Sequence, residues 1–125
     1  MTPGDLLAAA RELMVRPDAG TVGVWPRTSA FLARQALEQA IAARWKAMSE
    51  TAALANCSMR SQLTCLPFYL DPDTAGQAAH TWAALSNACH YHRYELAPTA
   101  AELTSWIDDV ADLLEQLGND APASV

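Results

Sequence analysis

Residues 99–117 of this chain read TAAELTSWIDDVADLLEQL. The large apolar side chains in this stretch recur every three or four positions, as on one face of an α-helix: Leu103, Trp106, Val110, Leu113 and Leu117. Thr99 stands three residues before Glu102, which is the spacing of a capping box, so the helix begins at Thr99. An apolar stripe that runs the whole length of a helix needs a partner to cover it, and the stretch therefore predicts the last helix of a packed fold.

The same signals, capping residues and helical spacing, occur upstream. Thr2 and Asp5 form a second capping box around Pro3 and open a first helix. Further helices are predicted over about 26–49, 58–66 and 73–93, while residues 50–57 form either a frayed helix end or a loop. No stretch alternates as a strand does. We therefore expect an all-α, up-and-down antiparallel bundle of four to five helices, with one domain over residues 1–117 and a disordered tail over residues 118–125.

Composition limits the classes of function. The chain has 125 residues, a formal charge of −6 and a pI of about 4.8, so it repels nucleic acids at long range, and we expect no general DNA binding. Its three cysteines lack a C-x-x-C pair and fit a reducing compartment, with at least two of them buried as small hydrophobes. The sequence shows no secretory signal and no membrane-spanning run, which predicts a cytoplasmic protein. Arg34, Arg44 and Lys46 are expected to pair with acidic residues.

One segment concentrates side chains that carry chemistry: residues 86–95, SNACHYHRYE. Asn87 lies three positions before His90, and Ser86 lies four before it, so each pair meets on one side of a helix. His92 can act as a general acid or base near neutral pH, and Arg93 can stabilise an anion. These residue types point to a ribonuclease that activates the 2′-hydroxyl, or to phosphate binding.

Two other interpretations use the same residues. His90 and His92 could instead cap the last carbonyls of the helix and interact favourably with its dipole. Cys89 and the two histidines are zinc-ligand types, but neighbouring helical residues point about 100° apart and no second ligand pair has the usual spacing. We therefore expect no metal site and no cofactor.

Two segments together resemble the HEPN superfamily. Residues 29–41, SAFLARQALEQAI, look like the second-helix signature of that family. Residues 92–99, HRYELAPT, look like its H-x-Y turn followed by the capped last helix. The order and separation of the two segments also match, and the likeness spans roughly residues 5–117.

The resemblance implies a helical bundle that forms a homodimer through the helices bearing the motif. It also implies one of two activities. The first is a metal-independent ribonuclease, such as the toxin of a toxin–antitoxin pair, with His92 as general acid/base. The second is a non-catalytic module that binds a nucleotide, a small ligand or a protein partner. Catalytic members carry an arginine before the histidine, with four to six residues between the two, but this chain has Ser86 or Asn87 there, leaving Arg93 or Arg60 as substitutes.

Because that arginine is missing, we expect a HEPN-like binding module without efficient catalysis. Its catalytic-type residues are His92, Asn87 and Arg93, and its ligand-binding residues are Ser86, His90 and Tyr94. The ribonuclease, with RNA as its partner, is the first alternative. A purely structural dimerisation protein is the second.

Overall fold

The computed structural model describes residues 1–15, 25–90 and 96–119. Every regular element in these ranges is helical, and five α-helices pack together: α1 (Pro3–Val15), α2 (Trp25–Lys46), α3 (Met59–Cys65), α4 (Pro72–Cys89) and α5 (Ala100–Asn119). Two short 3-10 helices, Ala52–Asn56 and Leu66–Phe68, precede and follow α3. The prediction of an all-α fold is thereby confirmed.

Capping side chains define the starts of the helices as predicted. At α1 the Thr2 hydroxyl accepts a hydrogen bond from the Asp5 backbone N–H at 3.0 Å, and the Asp5 carboxylate accepts one from the Thr2 N–H at 3.0 Å. The same reciprocal pair joins Thr99 and Glu102 before α5, with both distances at 3.0 Å. Each cap satisfies backbone donors that have no acceptor within the first turn of a helix.

Helix α2 occupies the centre of the packing, where it contacts α1, α4 and α5. Three of its alanines, Ala30, Ala33 and Ala36, are completely buried, so neighbouring backbones approach it closely. Larger side chains complete one continuous core, and those with the least exposure are Trp45, Leu37, Ile41, Leu66, Leu85, Leu103, Ile107, Val110 and Leu113. Four of the five residues in the α5 stripe that the sequence predicts are buried, whereas Trp106 is half-buried and Ile107, which the stripe omits, is completely buried.

Three helix ends differ from the predictions. Helix α2 ends at Lys46 and not at residue 49, because the Thr51 hydroxyl donates to the Trp45 carbonyl at 2.7 Å and satisfies a terminal acceptor. Helix α4 ends at Cys89, short of residues 91–93, because His90 leaves helical geometry with φ −122° and ψ 20°. Helix α5 continues through Gly118 to Asn119, so the predicted tail begins too early, and its remainder over residues 120–125 lies outside the described ranges.

The cysteines divide by burial. Cys89 belongs to the core, Cys65 is half-buried against it, and Cys57 is exposed. Two of the three thus act as small hydrophobes, as predicted. Within the described parts of the chain, no helix combines the length and the hydrophobicity that crossing a bilayer requires.

Candidate functional site

The end of α4 carries the described members of the predicted site. Ser86 and Asn87 lie in the last turn of this helix, and His90 follows it directly. The other three predicted residues, His92, Arg93 and Tyr94, lie outside the described residues. The geometry of the site is therefore built from Ser86, Asn87, His90 and the side chains around them.

Ser86 and Asn87 face different parts of the molecule, since consecutive positions on a helix point about 100° apart. Ser86 turns towards α2, where its hydroxyl oxygen lies 3.5 Å from an Nη atom of Arg34. Asn87 is exposed and borders a groove between α4 and the start of α5, beside Pro98 and Trp106. The structure therefore separates two residues that the sequence placed in one site.

Arg34 is the side chain that the sequence prediction missed at Ser86. Its guanidinium lies over the ring of Phe31, 5.7 Å from the ring centroid, in a cation–π arrangement. Its Nε lies 4.0 Å from a carboxylate oxygen of Glu38, four residues along the same helix. Only 18% of the side chain is exposed, and the buried Nε has no hydrogen-bond partner among the described residues. Arg34 is thus a sheltered cation whose hydrogen-bonding capacity is partly unused.

Glu38 is held in place by α4. The indole Nε1 of Trp82 donates a 3.0 Å hydrogen bond to Oε2 of Glu38, the same oxygen that lies nearest to Arg34. The carboxylate is therefore shared between the tryptophan and the arginine, and it neutralises the guanidinium only in part. We call Phe31, Arg34, Glu38, Trp82 and Ser86 the Arg34 cluster. It joins the middle of α2 to the second half of α4.

A second cation contributes to the electrostatics of this region. Burial raises the pKa of the Cys89 thiol, while the positive charges of Arg34 and Arg27 act to lower that pKa and the charge of Glu38 acts to raise it. Two guanidinium groups and one carboxylate thus act on the end of α4.

The position of His90 bears on the other interpretations of the histidine-rich segment at residues 86–95. Its side chain is exposed, whereas the purely structural interpretation predicts that it is buried against backbone carbonyls. For zinc, no group of three or more Cys, His, Asp or Glu side chains is close enough to hold an ion within residues 1–15, 25–90 and 96–119. As for the missing motif arginine, the described contacts bring Arg34 to Ser86 and include none between Arg60 and Ser86.

A signal for Arg34 was present in the sequence. Arg34 and Glu38 are four residues apart, the spacing of a helical ion pair, and both border the buried alanine face of α2. Because the pair lies beside the apolar face of α2, the pattern predicts that Arg34 lies close to a neighbouring helix. The pattern does not show which helix this is, because the contact joins Arg34 to Ser86, 52 residues further along the chain.

Comparison of the chain with protein-family models, with curated proteins and with solved structures gave no match. The resemblance to the HEPN superfamily therefore stays a prediction, and the functional argument depends on the geometry of the described residues.

Proposed function

We propose that this protein is a HEPN-like, antiparallel helical bundle that acts as a cytoplasmic homodimer and binds a phosphate-bearing small ligand, of the nucleotide class, without efficient catalysis. The observation that carries the proposal is the Arg34 guanidinium, which is mostly buried, only partly neutralised by Glu38, and 3.5 Å from the Ser86 hydroxyl. A guanidinium and a hydroxyl side by side are the donors that phosphate oxygens need.

The surroundings of Arg34 favour a nucleotide over a bare phosphate. Phe31 is 46% exposed although it lies against the guanidinium, so part of its ring is open to a second flat group. Bases stack on aromatic side chains and on guanidinium planes. A phosphate on Arg34 and Ser86 with a base against Phe31 would use both features of the Arg34 cluster.

Because Arg34 is sheltered from water, a hydrogen bond between its guanidinium and a phosphate contributes more to the free energy of binding. A charge-assisted hydrogen bond contributes roughly 1.5–3 kcal/mol, and the electrostatic part grows where the effective dielectric constant is low. Arg34 is already ordered by Phe31 and Glu38, so little side-chain entropy is lost when a ligand binds. The overall acidity of the chain opposes long nucleic acids and favours a small ligand with few charges.

The proposal is tested with adenosine 5′-monophosphate and adenosine as a matched pair of probes, titrated into uniformly ¹⁵N-labelled protein in the presence of EDTA. We expect the monophosphate to shift the amide signals around Arg34 and Ser86, and adenosine to do so at least tenfold more weakly. Arg34→Gln should reduce the affinity for the monophosphate about tenfold or more. Arg60→Gln removes an exposed arginine of α3 and serves as the control, with no change expected.

Two outcomes would contradict this function. Equal responses to the monophosphate and to adenosine would show that the phosphate is not recognised. An unchanged affinity in a folded Arg34→Gln variant would show that the cluster is not the site.

A metal-independent ribonuclease is the second candidate, and one observation favours it. Arg34 brings a guanidinium to Ser86, a position where catalytic members of the resembled family carry an arginine. RNA cleavage by the wild-type protein in EDTA, lost in His92→Ala, would establish this activity. Intact RNA after incubation with folded wild-type protein would exclude it.

A further inference from the structure

A cavity lies at the C-terminal end of α2, away from the Arg34 cluster. Arg44, Trp45, Met48, Thr51 and Tyr69 line it, and its volume is about 270 Å³. Arg44 is ten residues beyond Arg34, or about 15 Å along the helix axis at 1.5 Å per residue. We call this space the Arg44 cavity, and the ligand proposed for it does not depend on the function proposed above.

Unpaired donors distinguish the Arg44 cavity. The Nε and Nη1 atoms of Arg44 and the Nε1 atom of Trp45 are buried, and none has a hydrogen-bond partner among the described residues. The expectation that Arg44 pairs with an acidic residue therefore fails within those ranges. Trp45 is only 1% exposed, so its indole N–H is enclosed by protein. Buried donors without acceptors are costly, and a cation without an anion more so.

The remaining walls are apolar or already hydrogen-bonded. The rings of Trp45 and Tyr69 meet edge to face, with centroids 5.4 Å apart and planes at 84°. The Thr51 hydroxyl donates to the Trp45 carbonyl at 2.7 Å, so its proton is not available to a ligand. Within the described part of the chain, no carboxylate side chain lines the cavity. Among the described residues, the cavity thus combines the Arg44 side chain, which has no anionic partner there, with largely apolar surfaces.

Arg44 also borders a groove between α2 and α5, but no second donor side chain lines that groove among the described residues. Its other lining residues are alanine, leucine, proline and glycine: Pro3, Ala40, Ala43, Ala47, Leu114, Leu117 and Gly118. Of these two spaces, only the Arg44 cavity is also lined by Trp45, the other residue there with an unpaired donor. This difference assigns the ligand to the Arg44 cavity.

We propose that the Arg44 cavity binds a small monocarboxylate with a flat apolar body. One carboxylate matches the single positive charge of Arg44 and accepts two parallel hydrogen bonds from a guanidinium. The apolar body lies among Met48, Tyr69 and the Trp45 ring. A phosphate dianion fits less well, because the described lining of the cavity supplies one cation for its two charges.

The experiment uses 3-phenylpropanoate and its neutral analogue 3-phenylpropanamide, which differ only in the acid group. Each is titrated into ¹⁵N-labelled full-length protein, and the indole N–H signal of Trp45, assigned from Trp45→Phe, is followed. We expect the acid to shift this signal with a dissociation constant on the order of 1 mM, the range open to a ligand of this size. The amide should bind roughly tenfold or more weakly.

Substitutions locate the charge that is recognised. Arg44→Met keeps the length and packing of the side chain and should weaken binding of the acid to the level of the amide. Lys46→Met removes an exposed cation from the last turn of the same helix and should leave the affinity unchanged. Should Arg44→Met fail to fold, Arg44→Lys retains the charge without the planar fork, and it should bind the acid more weakly than wild type.

Three results would overturn the proposal. The first is no response of the Trp45 indole to millimolar 3-phenylpropanoate. The second is an equal response to the amide. The third is wild-type affinity in a folded Arg44 variant.

Discussion

Thr81 in α4 offers the sharpest test of the packing described above. Its side chain is completely buried, and its hydroxyl oxygen has no hydrogen-bond partner among the described residues. Burying a hydroxyl without a partner costs roughly 1–3 kcal/mol. Thr81→Val replaces that hydroxyl by a methyl group of similar size and keeps the β-branch. We expect the free energy of unfolding to rise by about 1 kcal/mol or more.

The assay is equilibrium unfolding in urea, followed by far-UV circular dichroism. With a denaturant slope of about 1.5 kcal/mol/M, a gain of about 1 kcal/mol moves the midpoint up by about 0.7 M at constant slope. The control is Thr64→Val, because the Thr64 hydroxyl is exposed and donates to the Arg60 carbonyl at 2.8 Å. That change should stay within about 0.5 kcal/mol of wild type.

A lower or unchanged midpoint for Thr81→Val, at constant slope, would refute this reasoning. The hydroxyl would then have a partner in solution that stabilises the folded state. The same result would weaken the argument from unpaired donors at Arg44, since both depend on the geometry of buried polar groups.

Two further predictions concern titratable groups. The Cys89 thiol is buried and its pKa is raised, so at pH 8 it should react with iodoacetamide far more slowly than exposed Cys57. Mass spectrometry of timed samples measures the two rates, and equal rates would contradict the burial of Cys89. The Asp71 carboxylate accepts hydrogen bonds from the Thr74 hydroxyl and N–H, which lower its pKa below 3.8. The ionised carboxylate therefore stabilises the fold above pH 3.8, and this contribution is lost as the pH falls through the lowered pKa. Asp71→Ala should reduce the free energy of unfolding at pH 6 and change it least at the lowest pH, when urea unfolding is measured over a series of pH values.

Local features of the fold were predictable because they depend on residues close together in sequence. The capping boxes at Thr2 and Thr99 need only residues three positions apart, and the α5 stripe needs only a repeat of three and four. The starts of α1, α3 and α5 follow directly from such patterns. The core residues of α5 follow from the same periodicity, apart from Ile107, in whose place the stripe contained the half-buried Trp106.

Features that depend on distant contacts were not predictable. The end of α2 is set by Thr51, which lies beyond the helix and reaches back to the Trp45 carbonyl. The partner of Ser86 is Arg34, on a helix that the sequence pattern alone could not place beside α4. Asn87 was assigned to the same site as Ser86, yet it borders another groove. In each case tertiary packing decides which side chains meet.

The central position of α2 also affects which parts of the fold unfold locally. Because α1, α4 and α5 all contact this one helix, separating any of them removes part of the cover from the buried alanines Ala30, Ala33 and Ala36. Backbone amides in the middle of α2 should therefore exchange with solvent only through the largest fluctuations of the chain, while the end of α4 exchanges through smaller ones. Arg34 and Arg44, the two cations around which ligand binding is proposed, both lie on this helix. Ligand binding at either residue should therefore protect the helix whose opening requires the largest fluctuations.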